Sequence, residues 1–212
     1  MRGWLLLAGA VPVLLETGTA LAAEGDASFQ REAARYFDAE RKGAIVLVMI
    51  GALSLGGGAG MLAFSEDRRF KGAAYPALAF GALQLAAGAL TFANIDNRRR
   101  AAESMAGGDR AAFVRTERVR VESVTRSFFV IELVELALIA GGATTAVLGN
   151  AQRRPALVGF GLCLATEALI TMTWDLTAHA RATRYLEAVE SLSLSTGLGS
   201  NGSNLTVRLL LP

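Results

Sequence analysis

Five ionisable residues stand inside stretches that are otherwise apolar. Glu132 and Glu135 lie in "SFFVIELVELALIAGG", and Glu167, Asp175 and His179 lie in "ATEALITMTWDLTAHA". Glu132 and Glu135 are one helical turn apart, and Asp175 and His179 are four residues apart, so each pair shares a helix face. A charge at the centre of a bilayer costs upward of ~2.5 kcal/mol, so such residues need a use. Three uses fit these types. Protonated carboxyls can hydrogen-bond across helices and set their register; burial and a like-charge neighbour both favour that form. The carboxylates can instead bind or relay a proton or a cation. Carboxylates can also pair with arginines of another subunit, since this chain has no arginine in mid-span. An antiparallel hairpin would bring Glu135 and Glu167 within about three residues of the same depth, or ~4–5 Å.

Catalysis has less to stand on. The ferritin-like di-iron pattern needs Glu-x-x-His twice, and the chain has one histidine. Glu132-x-x-Glu135 with Glu167 and Asp175 is an oxygen-only set whose spacing selects no metal. No serine–histidine–acid set, phosphate loop or dinucleotide fingerprint occurs. "SLGGGAGML" is glycine-rich but lies within an apolar run, so it reads as packing surface. Cys163 is the sole cysteine, which rules out an intrachain disulfide and reads as a small buried hydrophobe. The expectation is a non-enzyme without cofactor or metal.

The elements that must position these residues are helices. The chain has 212 residues, is 52% apolar and has a mean hydropathy of +0.39. Four apolar runs, 43–64, 72–93, 127–149 and 155–178, each reach the roughly 20 residues a spanning helix needs. The net charge of +2 gives no reason to expect nucleic acid. Arginine-dominated basic residues and abundant Ala and Gly suggest a bacterial source. Residues 1–22 read as a signal peptide, with Arg2, a short apolar core and Ala20-Leu21-Ala22 before the cut. An uncleaved anchor is the alternative, and either fate places Glu24 onward outside the cytoplasm.

Residues 23–107 and 108–191 look like one two-helix unit written twice. "EAARYFDAERKG" and "DRAAFVRTERVR" precede the first and third spans; "YPALAFGAL" and "RPALVGFGL" open the second and fourth. The first unit carries small residues where the second carries charge. Gly56, Gly60, Gly81 and Gly88 are its candidate helix-packing positions, by the GxxxG logic, and Gln84 is its one strongly polar mid-span side chain. Gly107-Gly108 and Asp109 mark a helix stop and a new cap. From there Val114, Val121, Phe128, Glu135 and Gly142 keep one stripe from the polar segment into the third span. Glu167, Thr171, Trp174, Ala178, Tyr185 and Val189 do the same on the way out of the fourth. Long helices should therefore project past the bilayer on one side, with short turns at "SEDRRFKG" and "NAQRRP" on the other.

These features predict an all-α membrane protein, a four-transmembrane-helix up-down bundle built from a duplicated hairpin. The signal sequence puts the extensions and both termini in the periplasm of a bacterial inner membrane. The positive-inside tally opposes this, with fifteen Lys and Arg on the extension side against five in the short turns. Residues 192–212 read as a β-hairpin about Asn201-Gly202. Leu192, Leu194, Leu198, Leu205, Leu209 and Leu211 would share one of its faces. The function expected is structural or accessory, an assembly subunit that meets the lipid bilayer and another copy or membrane protein. The alternative is a small proton- or cation-handling channel component that uses the intramembrane carboxylates.

Overall fold

The computed structural model describes the backbone of residues 10–104 and 110–200, and the side chains of 29–104 and 112–191. It has four helices: α1 (Ala10–Phe64), α2 (Arg68–Glu103), α3 (Arg110–Ala151) and α4 (Pro155–Ser200). All four contain membrane-length apolar segments. The shortest, α2, has 36 residues, or ~54 Å at 1.5 Å per residue, against ~30 Å of hydrocarbon. Each helix must therefore leave the apolar slab, and all do so at the end remote from the short turns.

The turns are built locally. Asp67 caps α2, its Oδ1 accepting from the Arg69 amide at 2.8 Å. Between α3 and α4, Arg153 takes a left-handed conformation (φ 53°). The Arg154 amide then reaches the Gly149 carbonyl at 2.8 Å, and the Arg153 amide reaches Asn150 at 3.1 Å. That is a Schellman closure with arginine where glycine is usual. Pro155 starts α4, where its missing N–H costs no hydrogen bond.

Packing follows a seven-residue repeat, the signature of helices wound with left-handed twist. Buried positions on α2 are Ala74, Gly81, Gly88, Ile95 and Ala102; on α1, Phe37, Ala44, Gly51 and Gly58. On α3 the repeat is Val114, Val121, Phe128, Glu135, Gly142 and Gly149, all buried except the half-buried Phe128. The stripes of α1 and α3 are glycine or alanine near the turns and bulkier toward the extensions. The helices are backbone-close at the glycines near the turn end.

The glycine contacts give the pairing. Gly51 and Gly81 face each other, Gly58 meets Ala74 and Leu78, and Gly88 meets Ala44 and Val48, so α1 and α2 run antiparallel. Gly142 packs on Gly161 and Ala165, and Gly149 on Leu157 and Val158, so α3 and α4 do too. Gly72 lies against Ala156 and Gly159 against Arg69, which crosses α2 and α4 at their starts. No Cα of α3 comes within 8 Å of α1 or α2 among the described residues. By backbone proximity the bundle is thus a triangle of α1, α2 and α4, with α3 laid along α4.

Two expectations change. Gly56 and Gly60 would meet nothing within 4 Å if given a β-carbon, so they are not packing positions within the chain; Gly51 and Gly58 hold the seam instead. The hairpin's first strand is absent, because α4 continues to Ser200 through Leu192, Leu194 and Leu198. Extending a formed helix costs far less than nucleating a new element, so propagation overrides the alternating pattern. Residues 201–212 and Asp109 lie outside the described residues. So do residues 1–9, and α1 runs unbroken past Ala22.

The surface confirms which part meets lipid. Leu53, Phe64, Leu83, Leu90, Phe129, Val147 and Leu162 are all exposed within the four apolar runs. Beyond them the interior is aromatic. Phe29, Tyr36, Phe37, Val121, Tyr185 and Val189 form one buried cluster, with Tyr36 and Tyr185 stacked at 4.4 Å and 7°. Phe29 reaches Phe113 at 6.4 Å, so large rings bridge the gap between α1 and α3 that backbones leave open.

Candidate functional site

The polar residues of α4 form a ladder at four-residue intervals: Glu167, Thr171, Asp175 and His179. Four residues turn a helix through about 400°, so each step drifts about 40° around the axis, and three steps drift about 120°. That drift decides which helix each one meets. Glu167 faces α1 and α2, whereas Asp175 and His179 face α3.

Glu167 is 8% exposed and held from two helices. Ser54 Oγ of α1 donates to Oε1 at 2.8 Å, and Gln84 Nε2 of α2 donates to Oε2 at 3.4 Å. Gln84 also donates to Thr171 Oγ1 at 3.3 Å, and the Thr171 hydroxyl returns to the Glu167 carbonyl at 3.0 Å. This network ties the triangle together at mid-membrane. The Gln84 carbonyl oxygen is buried without a hydrogen-bond partner.

The second cluster lies on the α3/α4 seam. His179 Nδ1 and Glu132 Oε1 are 2.8 Å apart, and Phe128 stacks on the imidazole at 5.5 Å and 16°. Glu135 is 4% exposed, and neither of its carboxylate oxygens accepts a hydrogen bond. Asp175 and Glu132 are the charged neighbours of Glu135. Glu135 and Glu167 therefore do not meet. Gly149 on Leu157 and Gly142 on Gly161 and Ala165 set Glu135 about level with Thr171, some four residues or ~6 Å from Glu167 in depth, and the two part because Glu167 turns to α1 and α2 while Glu135 meets Asp175.

Where the ladder leaves the membrane, charges pair across helices. Arg181 approaches Glu40 of α1 at 3.8 Å and lies over the Trp174 ring, 5.6 Å from its centre. That ring rests on Gly43, so Trp174 packs inward on α1 rather than serving only as an interfacial anchor. Burial raises the Glu40 carboxyl pKa against the opposing pull of Arg181, Arg98 and Arg120. Burial also raises the Tyr36 and Tyr185 hydroxyls, helped by Glu40 and Glu117 respectively. For Arg120, burial alone would lower the pKa; its hydrogen bond and charge pairing with Glu117 prevail and hold it above the usual value.

Sequence reasoning does not single out Ser54, since a serine in an apolar run bonds most simply to its own helix. Its one signal is its depth, matched to Glu167 only once α1 and α4 are paired. Among the described residues no group of three or more His, Cys, Asp or Glu is arranged to hold a metal ion.

Four membrane-length apolar helices with an apolar lipid-facing surface define an integral, multi-pass membrane protein. No family model matches the chain, and no match was found among curated proteins or among solved structures.

Proposed function

We propose that the protein is a structural or accessory subunit, a membrane scaffold that carries a helical stalk beyond the bilayer. One observation carries this reading: the polar interior stops short of the turn end. Below Glu167 the seams are closed by backbone on backbone, Gly142 on Gly161 and Gly72 on Ala156, which leaves no polar route across one chain among the described residues. Within the membrane the backbone of α3 lies close to α4 alone, and with Gly56 and Gly60 open this supports assembly with a further membrane helix, from another copy or a partner protein. In this reading the hairpins are duplicated in an up-down arrangement within a bacterial inner membrane, and the stalk is periplasmic. The second reading is a channel component, favoured by the carboxyl cluster on the α3/α4 seam; it needs another copy to complete a path.

Purified protein in liposomes enclosing a pH-sensitive dye separates the two. A scaffold gives proton and cation flux no greater than empty liposomes at every protein density. Flux above that level, lost in the Glu135→Gln/Glu167→Gln variant, would replace the scaffold reading with the channel one.

A further inference from the structure

Glu135 sets a problem that the scaffold role leaves unsolved. It is buried, no N–H or hydroxyl donor reaches either of its oxygens, and the group it meets across the seam, at hydrogen-bond reach, is another carboxyl, Asp175. Ionised carboxylates only accept hydrogen bonds, so two of them face to face have no donor between them. In an apolar slab, ionising both would set two like charges side by side without solvent. A single proton on the pair supplies the donor and removes the repulsion at once.

We propose that Glu135 and Asp175 form a proton-binding site that holds one exchangeable proton in the α3/α4 seam and is filled from the extension side through His179 and Glu132. The side chains of His179 and Glu132 are 29% and 20% exposed, so both touch the outside, whereas Glu135 does not. An open groove beside His179, lined by Leu176, Ala180, Thr183 and Arg184, leads toward the extension. A proton taken up at Nε2 of a His179 that already carries one on Nδ1 gives imidazolium. The Nδ1 proton then passes to Glu132 Oε1, 2.8 Å away, which restores neutral imidazole. Glu132 lies one turn from Glu135 and completes the transfer. The charge of the pair changes from minus two to minus one, and no other bond is made or broken.

The surroundings favour a proton over a metal ion. The charged group facing the pair is Glu132 from α3, itself paired with His179 of α4, with the Arg181–Glu40 ion pair nearer the stalk. Residues 43–64 of α1 contain no ionisable side chain, and residues 72–93 of α2 contain only Tyr75. No described cluster has metal-holding geometry. The site opens one way, because Gly142 on Gly161 closes the seam toward the turns.

Infrared difference spectroscopy of the protein in lipid nanodiscs, titrated in H2O and D2O, tests this. Expected is a protonated-carboxyl C=O band that titrates and shifts in D2O. It should be absent from Glu135→Gln and from Asp175→Asn and present in Glu167→Gln. His179→Gln should keep the band's amplitude and slow its exchange in D2O at least tenfold. A wild-type protein without a titrating band overturns the proposal even if a variant misfolds, and so does a band that survives in both seam variants. A band abolished by sodium chloride at fixed pH makes the site a metal-cation site and overturns it too. Exchange unchanged in His179→Gln overturns the entry route.

Discussion

The closest helix approach in the membrane is the crossing of α2 and α4, where Gly72 lies on Ala156 and Gly159 on Arg69. Replacing either glycine by alanine drives the new β-carbon into the opposing carbonyl, a backbone group that no rotamer change can move aside. Relieving that overlap requires the helices to separate, and overpacking of this kind costs ~1–3 kcal/mol. Gly56 and Gly60 are the internal control, since a β-carbon there meets nothing within 4 Å. Alanine at either should be neutral or stabilise by up to ~1 kcal/mol through helix propensity. The two classes should therefore differ by ~1–4 kcal/mol, combining these terms. Reversible unfolding in mixed micelles, followed by circular dichroism against denaturing detergent fraction, measures the difference. Gly159→Ala as stable as wild type would refute the packing described here. Gly56→Ala as damaging as Gly159→Ala would show that the open glycine face is an interface between copies.

Single sites give four further outcomes. Arg153→Gly should stabilise the α3/α4 turn by ~1 kcal/mol, because a non-glycine residue at positive φ costs about that much; the same micelle titration reads it. Tyr185→Ala should cost ~3–5 kcal/mol, since its ring is fully buried among Phe29, Tyr36 and Phe37. Measured against wild type by thermal melting, a loss under ~1 kcal/mol would contradict a packed stalk core. Glu40 gives a pH dependence of defined sign. Its folded-state pKa is raised by burial, so the folded chain keeps a proton where the unfolded chain has lost it. Its contribution to stability therefore falls as pH rises from the ordinary carboxylate range through the raised value, and Glu40→Gln should remove that fall from melting temperatures taken across pH. Gln84→Leu removes one of the two cross-helix donors to Glu167 and should destabilise by ~0.5–1.5 kcal/mol in the micelle titration, the net worth of a hydrogen bond.

What the sequence determined by itself is what belongs to one helix at a time. The apolar runs set four spans, and the lengths of α1 to α4 beyond ~30 Å follow from rise per residue. The unbroken phase from Val114 through Glu135 to Gly142 was legible because side chains recur on a helix face whatever lies opposite. The grading from glycine near the turns to bulky residues in the stalk was also written in the stripes of α1 and α3. Tertiary structure alone decided which face meets which helix. Glu135 and Glu167 look like partners in the sequence because their depths nearly match. The drift of the α4 ladder sends Glu167 to Ser54 and Gln84 while Asp175 goes to Glu135. Gly56 and Gly60 match a packing motif, yet α1 is rotated so that Gly51 and Gly58 fill the seam. A local pattern states how residues are spaced around an axis. The rotation of that axis is set by the summed contacts of three other helices, and no single stretch of sequence contains them.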